Sequence, residues 1–161
     1  GTEQQQLLDR YVSAFEATKR REFCGGCHVM APYARDSENL DSESLAARHA
    51  RNAAFGGDNC YACHADYGMF GTVTTKIGGL RHVYYQLAQY RWMSVAEALP
   101  TIHLRNAFSN TVCIRCHSTT GPAWNQVGDH AGLLEELRAD RVGCASVGCH
   151  GPVHPFSKVG R

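Results

Sequence analysis

The sequence predicts a mainly α chain with extensive loops and no substantial β-sheet. Apolar residues recur at helical spacing in several stretches. Val and Ile are sparse, and no run alternates with period two. The 161 residues, one domain's worth of chain, also hold four cysteine–histidine clusters. They are Cys24-Gly25-Gly26-Cys27-His28, Cys60-Tyr61-Ala62-Cys63-His64, Cys113-Ile114-Arg115-Cys116-His117 and a stretched version, Cys144-Ala145-Ser146-Val147-Gly148-Cys149-His150.

C-x-x-C-H is the pattern of c-type haem attachment. Two thiols add across the two vinyl groups of one porphyrin, and the next His supplies a nitrogen to the iron. Four residues between cysteines can serve the same end by looping out. The four clusters use all eight cysteines of the chain. Zinc knuckles need no His directly after each second Cys, and disulfides leave all four histidines unexplained. The expectation is therefore four c-type haems, His28, His64, His117 and His150 as proximal candidates, and a multihaem cytochrome in which the haems form the core. Forty or so residues per haem are too few to wrap each in an ordinary apolar core.

The formal charge is +1 and the sequence pI about 7.8. Four haems would add about eight propionate charges, so the loaded protein is expected to be acidic and not to bind nucleic acid. No stretch approaches the apolar length of a membrane span. The chain starts at Gly1 rather than Met, and the expectation is that a targeting or anchoring segment preceded it. Haem attachment of this type implies the periplasm or the outer face of the cytoplasmic membrane.

In chain order, Gln4 to Lys19 reads as a helix with Leu7, Leu8, Tyr11, Val12 and Phe15 on one face. Lys19, Arg20 and Arg21 suit its C-terminal end. Residues 1–22 are thus an N-terminal amphipathic helix, packed on the haem body or forming the stalk below an anchor. Residues 23–161 are the tetrahaem domain. Met30, two residues past His28, is either an axial thioether or a packing residue. Asp41 or Ser42 can cap a helix to about Phe55, stopped by Gly56-Gly57, with His49 facing inward beside Leu45, Ala46 and Ala53. A Gly/Thr-rich loop, Tyr67 to Gly79, holds Met69 and Lys76. Leu80 to Leu99 reads as the longest helix, ended by Pro100. His82 lies off its apolar stripe, and His103 sits between Ile102 and Leu104. Asp129 can cap a helix to about Asp140 that points His130 inward with Leu133, Leu134 and Leu137, before Gly143 breaks it. His154 follows the last proximal His by four residues in a Pro-stiffened turn. Nine histidines less four proximal ones leave His49, His82, His103, His130 and His154 for at most four distal positions.

Glu22-Phe23-Cys24, the C-x-x-C-H-x-M of Cys24 to Met30, Pro32, the His49 and Lys76 positions, His130 and the closing C-H-G-x-x-H together resemble the NapC/NirT family of tetrahaem c-type cytochromes, periplasmic quinol dehydrogenases. The likeness runs from about Phe15 to Pro155. It implies that Met30 rather than His28 ligates the first iron, that Lys76 lines a quinol pocket, and that His49, His130 and His154 are distal ligands. Three features depart from the family pattern: the C-x4-C-H spacing, Val83 where the family tends to place an acid, and no N-terminal membrane helix. The first expected function is electron transfer from membrane quinol to a periplasmic redox protein, a quinol dehydrogenase when anchored. The alternatives are a soluble carrier, a wire or complex subunit without quinol chemistry, and a small redox enzyme with an open iron.

Overall fold

Helix is the only regular structure in the computed structural model of the chain, which describes residues 2–55, 59–65, 69–104, 108–146 and 148–156; no strand occurs among them. By its internal contacts the chain divides into two compact units, residues 1–101 and 102–161.

The first unit opens with α1 (Glu3–Ala17), capped by Thr2, whose hydroxyl accepts from the Gln5 amide at 3.4 Å. Its Leu7, Leu8, Tyr11 and Val12 are exposed, while Phe15 is half-buried. Next, α2 (Arg21–Gly25) packs on α3 (Ala31–Glu38), and α3 on α4 (Leu45–Ala50). Both α2 and α4 meet α5 (Asn59–His64). The longest helix, α6 (Gly71–Ala88), is followed by a 3-10 turn at Tyr90–Trp92 and by α7 (Val95–Ala98). The second unit holds α8 (Thr111–Ile114), α9 (Pro122–Asn125), α10 (Gly128–Gly132) and α11 (Leu134–Arg138).

Several helix boundaries differ from the sequence expectation, each for a local reason. The segment expected as a Gly/Thr loop is helical from Gly71, and within that helix Thr74 and Thr75 turn their hydroxyls back on the Gly71 carbonyl at 3.0 and 2.7 Å. Tyr67 and Gly68, in the same expected loop, lie outside the described residues. The expected helix to Leu99 instead breaks after Ala88, where Gln89 has φ −129° and ψ −63°. A new helix then starts at Ser94, which forms a capping box with Glu97. Ser44, rather than Asp41 or Ser42, caps the His49 helix; its hydroxyl accepts from the Ala47 amide at 3.1 Å. That helix stops at Ala50, followed by a 3-10 turn at Ala53–Phe55, and its expected Gly56-Gly57 stop lies outside the described residues. The expected single helix from Asp129 to Asp140 is two short ones hinged at Leu133, and Asp129 lies in the first turn of α10 rather than at its cap.

Few side chains are buried. The buried apolar residues are Val29, Ala47, Ala65, Ala98 and Leu137, and no large side chain is fully buried among the described residues. Leu80, Tyr84 and Leu87 along α6 are 67, 65 and 57 % exposed. Buried polar residues, Asp36, Ser37, Ser44, Asn59 and Asn110, accompany the small apolar ones.

Candidate haem-binding sites

In the first unit, Arg21 ties two attachment motifs together. It lies one helical turn before Cys24, and its guanidinium donates to Glu38 at 2.9 Å and to the Asn59 side-chain carbonyl at 3.2 Å. Asn59, buried, directly precedes Cys60. The Cys24 and Cys60 thiols consequently meet. The hydrogen bond from Cys60 pulls the Cys24 thiol down to about 7, against burial, and Lys76 assists; the same contact pushes Cys60 up.

The second unit repeats the device with a different residue. Asn110, 2 % exposed, donates to the Leu137 and Val142 carbonyls at 2.7 and 2.6 Å and accepts from the Cys144 amide at 2.8 Å. Its own carbonyl accepts from the Cys113 amide at 2.9 Å, at the start of the third motif. Its amide donates to Asp140 at 2.6 Å. Burial pushes the Cys144 thiol up, and a hydrogen bond with Cys113 partly opposes it. In each unit, then, the first cysteine of one motif contacts the first cysteine of the next.

The stretched fourth motif closes like the third. In the third, the His117 amide donates to the Cys113 carbonyl at 3.0 Å. In the fourth, the His150 amide donates to the Cys144 carbonyl, also at 3.0 Å, across two more residues. The Gly151 amide donates to the Ser146 carbonyl at 3.2 Å, and Gly148 takes φ +88°, the left-handed region. A side chain on Gly151 would meet the Ala145 carbonyl oxygen at 2.5 Å, so the closure requires glycine there. Val147, within the insert, lies outside the described residues.

Around the candidate ligands the geometry is varied. His28 is held by both ring nitrogens: Nε2–H donates to the Met93 carbonyl at 2.9 Å, and the Gln86 side-chain amide approaches Nδ1 at 3.5 Å. Met30, half-buried, precedes α3. His49 Nδ1–H donates to the Leu45 carbonyl at 2.8 Å, the bond that metal-ligating histidines use to fix their tautomer and leave the lone pair on Nε2. Its helix is anchored through Asp36, which accepts from Ser42 and Ser44 at 2.6 and 2.7 Å. His130 is brought to His150, ring centroids 5.8 Å apart, and stacks on Trp124 at 4.2 Å. The buried His130 Nδ1 and Trp124 Nε1 have no hydrogen-bond partner among the described residues. His154 is half-buried; His64, His82, His103 and His117 are exposed.

Lys76 sits in a cage built by α1 and the second motif. Its ammonium lies 4.6 Å from the Phe15 ring centroid and 5.0 Å from that of Tyr61, and donates to the Thr18 hydroxyl. Lys19 lies over the same two rings at 5.4 and 5.6 Å. Burial pushes Lys76 below the usual lysine range; Lys19 adds to that, while Glu16 and Cys24 oppose it.

These residues fit covalently held haem. The orphaned His130 nitrogen and the exposed apolar side chains of α6 are groups that a bound macrocycle would satisfy and cover. Arg21, Asn110, Asp36, Trp124 and the α1 side chains around Lys76 carry no local motif. The Ser94-x-x-Glu97 capping box does, and was readable.

Cysteine–histidine motifs held in an all-helical, loop-rich chain define a c-type cytochrome. The chain belongs to the NapC/NirT cytochrome c family, whose N-terminal region matches residues 7–159. None of the curated proteins or solved structures compared with the chain matches it. Membership makes it an electron-transfer protein that binds c-type haem. The family typically faces the periplasm, and no helix among the described residues is long and apolar enough to cross a membrane.

Proposed function

We propose that this chain is a four-haem quinol dehydrogenase subunit that passes electrons from membrane quinol to a periplasmic redox protein. The arrangement at the first motif carries the reading. Both ring nitrogens of His28 are hydrogen-bonded within the protein, Met30 stands two residues on, and the caged Lys76 ammonium lies close enough to Cys24 to act on its thiol. A site with a thioether ligand and a half-buried cation beside it suits oxidation of a hydroxyl-bearing substrate better than a fully bis-His wire does.

The eight cysteines would tether four haems, with residues 1–22 as the helix leading into a haem-carrying part, residues 23–161. The bound haems supply one-electron redox chemistry; the polypeptide fixes their ligands, spacing and solvent access. The restored His150-to-Cys144 hydrogen bond supports a working fourth site. Met30 would ligate the first iron, and His64, His117 and His150 the others. The rings of His130 and His150 stand 5.8 Å apart, which supports both as residues that would hold the iron of the fourth haem. His49, with its Nδ1 proton already placed, and half-buried His154 would serve two other irons. The exposed His82 and His103 are the reserve for the remaining position.

Stopped-flow mixing of the haem-loaded protein with a water-soluble quinol tests the reading. Reduced haem bands should rise, and intact-mass measurement should give four haem additions. Haem reduced by dithionite but not by quinol would overturn quinol oxidation and leave a soluble carrier or wire; two or three haems would empty the stretched site.

A further inference from the structure

We propose that α1 completes the Lys76 site: the Thr18 hydroxyl and the rings of Phe15 and Tyr61 hold the Lys76 ammonium next to Lys19, making a paired-cation site for an anionic oxygen of the quinol. The inference rests on the quinol reading and adds to it the residues that set the charge of the pocket.

The geometry assigns each role. Thr18 Oγ1 donates to the Phe15 carbonyl at 2.7 Å, so toward Lys76 it can act only as acceptor, and it pins the ammonium rather than competing for its targets. The two ring faces hold both ammonium groups by cation–π attraction. Among the described residues no carboxylate lies within ion-pair distance of Lys76, whereas Lys19 pairs with Glu16 at 2.6 Å. The charged and titratable groups facing Lys76 are thus Glu16 from α1, Lys19 two residues past the end of α1, Cys24 from α2 and Tyr61 from α5. Two cations against one carboxylate leave net positive charge in a half-buried place. Such a place lowers the pKa of a bound hydroxyl and favours its deprotonated oxygen. Lys19 is therefore a positioning and electrostatic residue that acts through Lys76 and on the same ligand oxygen.

The shared chemistry, an anionic oxygen, could also be a haem propionate, and the test separates the two. The haem-loaded protein is pulse-labelled with acetic anhydride over a pH series, and Lys76 is read by peptide mass spectrometry with and without a hydroxyquinoline N-oxide analogue of quinol. Lys76 should label at lower pH than free lysine and be protected by the analogue. Lys19→Gln should move its labelling curve to higher pH and weaken the analogue about tenfold, as for one lost charged contact. Lys19→Arg, which keeps the charge, should restore both. An unchanged Lys76 curve in Lys19→Gln and in Thr18→Val overturns the clamp. Lys76 protected in the loaded protein without analogue makes a propionate the occupant and also overturns the proposal. A curve that shifts as expected with an analogue that never protects overturns the quinol reading while the clamp itself stands.

Discussion

Replacing Asn110 by alanine removes three hydrogen bonds at once. Lost are the donations to Leu137 and Val142, at 2.7 and 2.6 Å, and the acceptance from the Cys144 amide at 2.8 Å. Each contributes roughly 1 kcal/mol net, and at a position 2 % exposed the abandoned carbonyls and amide are slow to find water, so the second unit should lose about 3 kcal/mol. The bond from the Asn110 amide to Asp140 survives, because it belongs to the backbone. The perturbation is selective in space: it frees the start of the fourth motif from the third and leaves the first unit untouched. The assay is intact-mass haem counting of protein expressed with a haem-attachment system, together with thermal unfolding followed in the far-UV. The expected result is an increased share of molecules short of one or two haems, with loss confined to peptides carrying Cys113 to Cys149, and a lower unfolding temperature. Unchanged haem stoichiometry and a stability within 1 kcal/mol of the parent would refute the view that Asn110 joins the two motifs.

Three further outcomes follow from the geometry. His130→Ala should open one distal position, seen as a new high-spin signal in the spectrum of the oxidised protein, and Trp124→Leu, which removes the stacking partner at 4.2 Å, should broaden the low-spin signal without abolishing it; a spectrum unaltered by His130→Ala would remove that residue from the ligand set. Met30→Ala should alter the spectrum of a single haem while His28→Gln leaves it unchanged, and the reverse pattern would assign the first iron to His28. In the unloaded chain, Cys24 should react with iodoacetamide at a rate that is half-maximal near pH 7, falling below it as the thiolate takes up its proton and levelling above it; Cys60→Ala, which removes the hydrogen-bonding thiol, should move that midpoint upward toward an ordinary thiol, and identical profiles would remove Cys60 as the cause.

What could be seen from sequence depended on range. The attachment motifs are local, because covalent chemistry with one porphyrin fixes the spacing of two cysteines and a histidine, and they led to the family. The helical class was legible from apolar spacing and the sparseness of Val and Ile. Helix boundaries were less so. The Gly/Thr run from Gly71 forms helix against what its composition favours, its threonine hydroxyls returned to a carbonyl one turn back. The break at Gln89 also left no mark, although the Ser94–Glu97 box that restarts the helix could have announced it. The ties between motifs were invisible. Arg21 to Asn59 and Asn110 to Cys144 join residues 38 and 34 positions apart, and nothing near either partner signals the other. The company Lys76 keeps was hidden for the same reason, since Phe15, Thr18 and Lys19 approach it from the far end of the first unit.

The scarcity of large buried side chains bears on how the molecule is made. With so little enclosed apolar surface among the described residues, stability should rise with the number of haems bonded on, each of which would cover side chains that now face water.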